Sequence, residues 1–203
     1  IKAPVQQMLK REYPAEFMRL NEWVLNQYKS LLNDDDLFSQ FTIYIGQKAG
    51  SIPVSEDKLL SMRIYSAAHK FSTMRELEML SVVNEKVRTE KIETELKAEI
   101  QPYLDLEGLQ MLMTHQNAFD FLLKIEQLRF QTRWNQTPRV PATSVLGHSY
   151  FVAVMTLLLG REIDVKMCDR RIINNFFSAL FHDLPEAVTR DIISPVKQAT
   201  DDL

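Results

Sequence analysis

Apolar residues recur at three- and four-residue spacing along most of the chain, a period that predicts helices. Phe17, Leu20, Val24, Tyr28 and Leu31 form one such face. Pro14 fits the first turn of that helix, which runs to Leu32, and residues 1–32 read as helical throughout. Asn33-Asp34-Asp35-Asp36 ends it as a solvated loop, since no EF-hand spacing follows the acidic run. Phe41-Thr42-Ile43-Tyr44-Ile45 alternates and is β-branched, with Gly46 after it. It is the best strand candidate, though it is short and alone and a helical reading is open. Gly50 to Pro53 is loop, and Ser55 is an N-cap with Glu56 and Asp57 in the first turn behind it.

Leu59, Leu60, Ile64, Ala67, Ala68 and Phe71 mark a buried helix with His69 on or beside its inner face. No ligand-spaced partner stands near His69, so it reads as a packed or surface histidine. Residues 73–100 continue helical and grow more charged, a solvated face with local ion pairs. Pro102 and Gly108 bracket a connection. From Leu109 one long amphipathic helix is expected to run to about Trp134, carrying His115 without an evident partner. Pro138 and Pro141 then break the chain. Thr143-Ser144 cap an almost wholly apolar helix from Val145 to Leu159, closed by Gly160 and read as buried. A last helix starts near Asp169, is apolar from Ile172 to Phe181 and ends at His182-Asp183.

Bulk properties narrow this picture. In 203 residues, 45% are apolar, 25% are charged and only five are glycine, which argues against phosphate-cradling glycine loops and a turn-rich all-β fold. A net charge of -3 gives no electrostatic reason to expect a nucleic-acid polymer. The single cysteine, Cys168, excludes an intramolecular disulfide within this sequence and fits a reducing, cytoplasmic setting. The most apolar run, Tyr150 to Leu159, falls well short of the about twenty residues of a membrane span.

Two places carry chemistry. His182 and Asp183 follow an apolar run in which ionisable groups are costly unless paired or metal-bound. Asp183-Leu184-Pro185-Glu186 also has capping-box spacing, so a plain helix start explains the two acids. Capping does not explain His148 at the start of a second apolar helix. Two packed helices supplying His148 from one and His182 with Asp183 from the other would make a divalent site. Mixed nitrogen and oxygen donors suit Mn, Co, Ni, Fe or Zn better than Ca or Mg. Glu186 and Asp191, one and two turns on, are placed to hold or deprotonate a water. Arg133-Trp134, before the prolines, is either a phosphate-binding loop or a surface corner with Trp134 packed inward.

His148 followed by His182-Asp183 resembles the HD superfamily of metal-dependent phosphohydrolases, all-α proteins with an H…HD…D ligand set. Residues 133–197 look closest to its YfbR-like 5′-deoxynucleotidase subgroup. Arg133-Trp134 stand at that subgroup's spacing before the first His, and the run from His182 to Lys197 parallels its HDxxEVLTGDLPTPVK. The resemblance implies His148, His182 and Asp183 as metal ligands, Arg133 on the phosphate and Trp134 shaping a sugar-base pocket. Glu186 and Asp191 would orient or activate water on a nucleoside monophosphate. Two departures stand out: Gly147 occupies the place of a frequent Glu, and the distal Asp ligand has no counterpart before Leu203. Ile1 to Val5 and Leu20 to Val24 look internal to longer bacterial HD proteins, so both ends are expected to be missing.

The sequence therefore predicts an all-α protein. Residues 1–107 form a helical accessory region and 108–203 an HD-type helical bundle with a divalent metal. The expected activity is hydrolysis of nucleoside 5′-monophosphates or related phosphomonoesters. The alternative is a non-catalytic HD module that binds metal or nucleotide as a sensor or assembly part. Neither a nucleic-acid polymer nor a membrane is expected as a partner, and a homodimer is left open.

Overall fold

The computed structural model describes residues 3–116, 118–134, 138, 140–163 and 165–190, the side chains of 3, 4 and 7 excepted. Asp191, the rest of the run to Lys197, and Asp201 and Asp202 lie outside the described residues. Among those described, every named element is a helix, as the spacing of apolar residues requires. The chain divides into two compact units between Leu96 and Lys97.

In the first unit, α1 (Ala3–Glu12) packs on α2 (Pro14–Lys29), and α2 on α3 (Asp35–Ala49). Pro14 opens α2, where its missing N–H costs nothing. The strand expected at Phe41–Ile45 is instead the middle of α3. Its ends explain why. The Asp34 carboxylate accepts the Leu37 N–H at 2.8 Å, and Asp35 and Asp36 favour the positive end of the helix dipole. Gly50 closes α3 in the left-handed region at φ 86, with Ser51 N–H donating to the Gly46 carbonyl. The acidic run is thus a helix start rather than a solvated loop, and start and stop together outweigh five β-prone residues. Gly46 also lies where a Cβ would meet the Ile52 side chain at 2.5 Å.

α4 (Glu56–Ser81) begins at Ser55, whose hydroxyl bonds to the Asp57 carboxylate and helps hold it below its ordinary pKa. Tyr65 on α4 meets the ring of Tyr44 on α3 edge-on at 6.2 Å. Burial, helped by a hydrogen bond to Tyr65, pushes the Tyr44 phenol up to about 12. His69 stacks on Tyr65, a packing role as expected. The helix read across 73–100 is interrupted after Ser81. There the Asn84 amide donates to the Leu80 carbonyl at 2.7 Å, and α5 (Lys86–Ile100) starts afresh.

The second unit takes up the end of α5, a short 3-10 turn at Gln101–Tyr103, and then α6 (Glu107–Met113) and α7 (Phe119–Phe130). The single helix expected from Leu109 to Trp134 is therefore two. Between them His115 adopts φ 56, its N–H donates to Leu112 O at 3.2 Å, and Gln116 N–H reaches Met111 O at 2.8 Å. That pair of bonds is a Schellman stop built on histidine instead of glycine. The imidazole stacks on Phe119 at 4.0 Å, which offsets part of the left-handed cost.

α8 (Val145–Arg161) packs along α9 (Asp169–Phe181) and against α7, and α10 (Glu186–Thr189) packs on α7. Gly160 does not cap α8, which continues to Arg161. A Cβ on Gly160 would lie 2.5 Å from Met167 Cε, the end of a flexible side chain that can move aside at little cost. Nor is α8 buried all round: Val145, Ser149 and Ala153 line one fully buried stripe, while Tyr150, Phe151 and Leu159 are exposed. In α9 Ile173, Phe177 and Phe181 are likewise exposed, against the expectation from their apolar run. α8 thus has one buried face rather than a buried circumference, and α9 is at most half-buried along Ile172, Phe176, Ala179 and Leu180. Among the described residues no helix is long and apolar enough to cross a membrane.

Candidate metal centre

Three local structures set the site. The first is the start of α8. Ser144 caps it, its Oγ accepting the Gly147 N–H at 3.0 Å, and His148 N–H donates to the Ser144 carbonyl at 3.0 Å. Val145 and Ser149 are fully buried on either side of His148 in sequence, which fixes the rotation of α8 and turns His148 to a half-buried position.

The second is the end of α9. His182 is its C-cap, and the ring Nδ1 lies 2.7 Å from the Ala179 carbonyl. A carbonyl can only accept, so Nδ1 carries the proton and the Nε2 lone pair points away from the helix. Backbone acceptors of this kind commonly orient metal-binding imidazoles. Asp183 follows directly. Its main-chain carbonyl accepts the Glu186 N–H at 3.0 Å, and α10 begins after Pro185 without a side-chain cap. The capping-box account of Asp183 is thereby corrected: its main chain serves the turn, while its carboxylate faces the histidines.

The third is the staple that holds Arg133. Arg133 N–H donates to Thr143 O and Val145 N–H to Gln131 O, both at 2.9 Å, around an antiparallel bridge between Thr132 and Ser144. Arg133 is thus tied by main chain to Thr143, the residue just before the one that caps the His148 helix.

These elements converge on one atom. Asp183 Oδ2 lies 2.8 Å from Arg133 Nη1, 3.2 Å from His182 Nε2 and 3.8 Å from His148 Nε2. The two imidazoles meet edge to face at 5.4 Å between centroids. One ligand atom from each of His148, His182 and Asp183 lies within 4.8 Å of the others. Bonds of about 2.0–2.2 Å to one ion place neighbouring donors roughly 3.0–3.6 Å apart. The donor types and the 3.2 Å spacing from Oδ2 to His182 fit a divalent transition metal or zinc, the 3.8 Å spacing to His148 is slightly longer than that range, and the triad is positioned to coordinate an ion. Among the described residues no fourth His, Cys or carboxylate joins the group.

Glu186 opens α10 and is only 6% exposed. Trp134 follows Arg133 at φ 59 and is 57% exposed, so it is not packed inward. Asp191 lies outside the described residues. Two parts of the site went unread in the sequence. One is the Ala179 carbonyl, which as a main-chain group has no residue signature. The other is the Arg133–Asp183 ion pair, which joins residues 50 apart in sequence.

Residues 125–202 match the family model described as HD domain, less than half of the chain. Within that span the described residues include helices and a His/His/Asp triad suited to metal coordination, which is consistent with that similarity. No curated protein and no solved structure matches the chain.

Proposed function

We propose that this chain is a metal-dependent phosphohydrolase of the YfbR-like kind, acting on nucleoside 5′-monophosphates or related nucleotide phosphomonoesters. The observation that supports it best is a guanidinium 2.8 Å from the carboxylate that, with two histidines, makes up the metal triad. A cation donor with forked geometry beside a divalent site is the pairing that phosphate recognition calls for. The metal, when bound, supplies a water of lowered pKa and polarises a phosphoryl oxygen.

The chain's own residues do the rest. His148, His182 and Asp183 hold the ion. Arg133 binds phosphate oxygens and keeps the phosphorus in line with the attacking water. Glu186, buried at the first turn of α10, accepts the water's proton, with Asp191 as its partner further on. The new bond joins water oxygen to phosphorus, and the bond from phosphorus to the nucleoside 5′ oxygen breaks. A proton goes to that leaving oxygen. Exposed Trp134 offers its ring to the sugar and base. The setting proposed is cytoplasmic, without a nucleic-acid polymer or membrane partner, and with a homodimer compatible.

A second reading is a non-catalytic HD module that binds metal or nucleotide. The three-donor set among the described residues and Gly147 before His148 favour it. One experiment separates the two. Metal content is measured in the full-length protein, with phosphate release from a panel of deoxynucleoside monophosphates under Mn, Co and Ni. Metal retained without turnover on any of them would sink the enzyme reading and leave the module.

A further inference from the structure

We infer that Arg133 couples metal binding to oxyanion binding, because it shares a single carboxylate oxygen with the metal ligands. The inference rests on the metal-site reading above but not on catalysis.

Asp183 supplies the only carboxylate of the triad, and its Oδ2 lies 2.8 Å from Arg133 Nη1, 3.2 Å from His182 Nε2 and 3.8 Å from His148 Nε2. Arg133 and Asp183 are 25% and 13% exposed, so solvent screens the site only in part. The guanidinium cannot give up its proton at any relevant pH. Its backbone is stapled to the start of α8, so the charge is built into the site. A dication held by the triad would lie beside that fixed positive charge, with one carboxylate between them. Like charges so close repel, and an oxyanion touching both relieves the repulsion. Metal and oxyanion then bind with positive coupling, and each raises the affinity of the other by the same factor. Without an oxyanion, Arg133 holds the metal affinity down.

The opposite role is also chemically reasonable. An arginine that merely orients a ligand carboxylate strengthens the site, and its loss weakens metal binding about 10–100-fold. The two roles predict opposite signs.

The test is Mn2+ binding to the full chain by isothermal titration, with free Mn2+ checked by electron paramagnetic resonance. It is done with and without inorganic phosphate, in the wild type, Arg133→Gln and Arg133→Lys. Without phosphate, Arg133→Gln should bind Mn2+ about tenfold tighter, near the solvated end of the Coulomb range. Arg133→Lys, which keeps the charge, should stay close to wild type. Phosphate should tighten Mn2+ binding more in the wild type than in Arg133→Gln, by about the same tenfold factor. Equal or weaker Mn2+ binding in Arg133→Gln overturns the coupling. Should Arg133→Gln fail to fold, Arg133→Lys decides: wild-type Mn2+ affinity and phosphate coupling support it, and weakened Mn2+ binding overturns it. A wild type that binds Mn2+ but hydrolyses nothing defeats the proposed activity and leaves this inference standing.

Discussion

Replacing Asp183 by alanine separates ligand from helix cap more cleanly than any other change. The substitution removes the oxygen that stands 2.8 Å from Arg133 Nη1 and 3.2 Å from His182 Nε2. It leaves the main-chain bond from Glu186 N–H to the residue 183 carbonyl, so the turn into α10 survives. An exposed ion pair contributes about 0–1 kcal/mol, and breaking a buried one costs about 3–5 kcal/mol. With the partners 25% and 13% exposed, a loss of about 2 kcal/mol lies between those limits. For a chain of this length that lowers the melting temperature by about 4–8 °C. The diagnostic quantity is the further response to metal. An ion at 100 times its dissociation constant stabilises the wild type by about 2.7 kcal/mol, or about 5–10 °C. Melting followed by circular dichroism over a Mn2+ titration reads both effects. Asp183→Ala should melt lower and show no metal-dependent rise, and Asp183→Asn should lose the rise with a smaller drop in stability. A metal-dependent rise in Asp183→Ala equal to that of the wild type would refute the assignment of Asp183 as a ligand.

Other consequences can be checked separately. Ser144→Ala removes the cap of α8 and should cost about 1 kcal/mol in denaturant unfolding; an unchanged midpoint would mean the hydroxyl contributes nothing. Glu186→Gln should abolish phosphate release while Mn2+ affinity is retained, as measured by titration; retained turnover would remove Glu186 from the proposed chemistry. Tyr44 binds its proton more tightly folded than unfolded, since its pKa rises from 10.0 to about 12. The stability this gives is complete below pH 10 and is lost as the pH climbs towards 12. Ultraviolet titration of native protein should show one late tyrosine that Tyr44→Phe removes, and a Tyr44→Phe profile identical to wild type would contradict the burial argument.

The triad was readable because its parts are side chains of unusual type at unusual places. A histidine in the first turn of an apolar helix and a His-Asp pair at the end of another have few structural explanations. Helix identity was readable for the same periodic reason. What failed was punctuation. The strand expected at Phe41–Ile45 rested on local β-branching, whereas Asp34 and Gly50 at the two ends of α3 decided the matter. The break at His115 carried no glycine or proline, so nothing in composition marked a left-handed stop. Gly160 looked like a cap, yet α8 runs past it to Arg161. Burial was overestimated for α8 and α9 because hydropathy tells which residues avoid water, not whether a partner face exists for each of them. The Arg133–Asp183 contact was invisible since sequence spacing says nothing about side chains brought together by a fold.

The bond from His182 to Ala179 has a consequence for how this site can change over time. Its acceptor is main chain, so exchanging alanine 179 for another helix-compatible residue leaves the acceptor in place. Point substitutions there are silent for the imidazole. A one-residue deletion within α9 is a different matter. It turns everything beyond it by about 100°, one step of a helix with 3.6 residues per turn. His182 and Asp183 would swing together away from His148 on α8 while the ring's own hydrogen bond stayed intact. The centre is therefore tolerant of drift in residue identity and intolerant of drift in length, and insertions or deletions between Asp169 and His182 are the changes that would extinguish it.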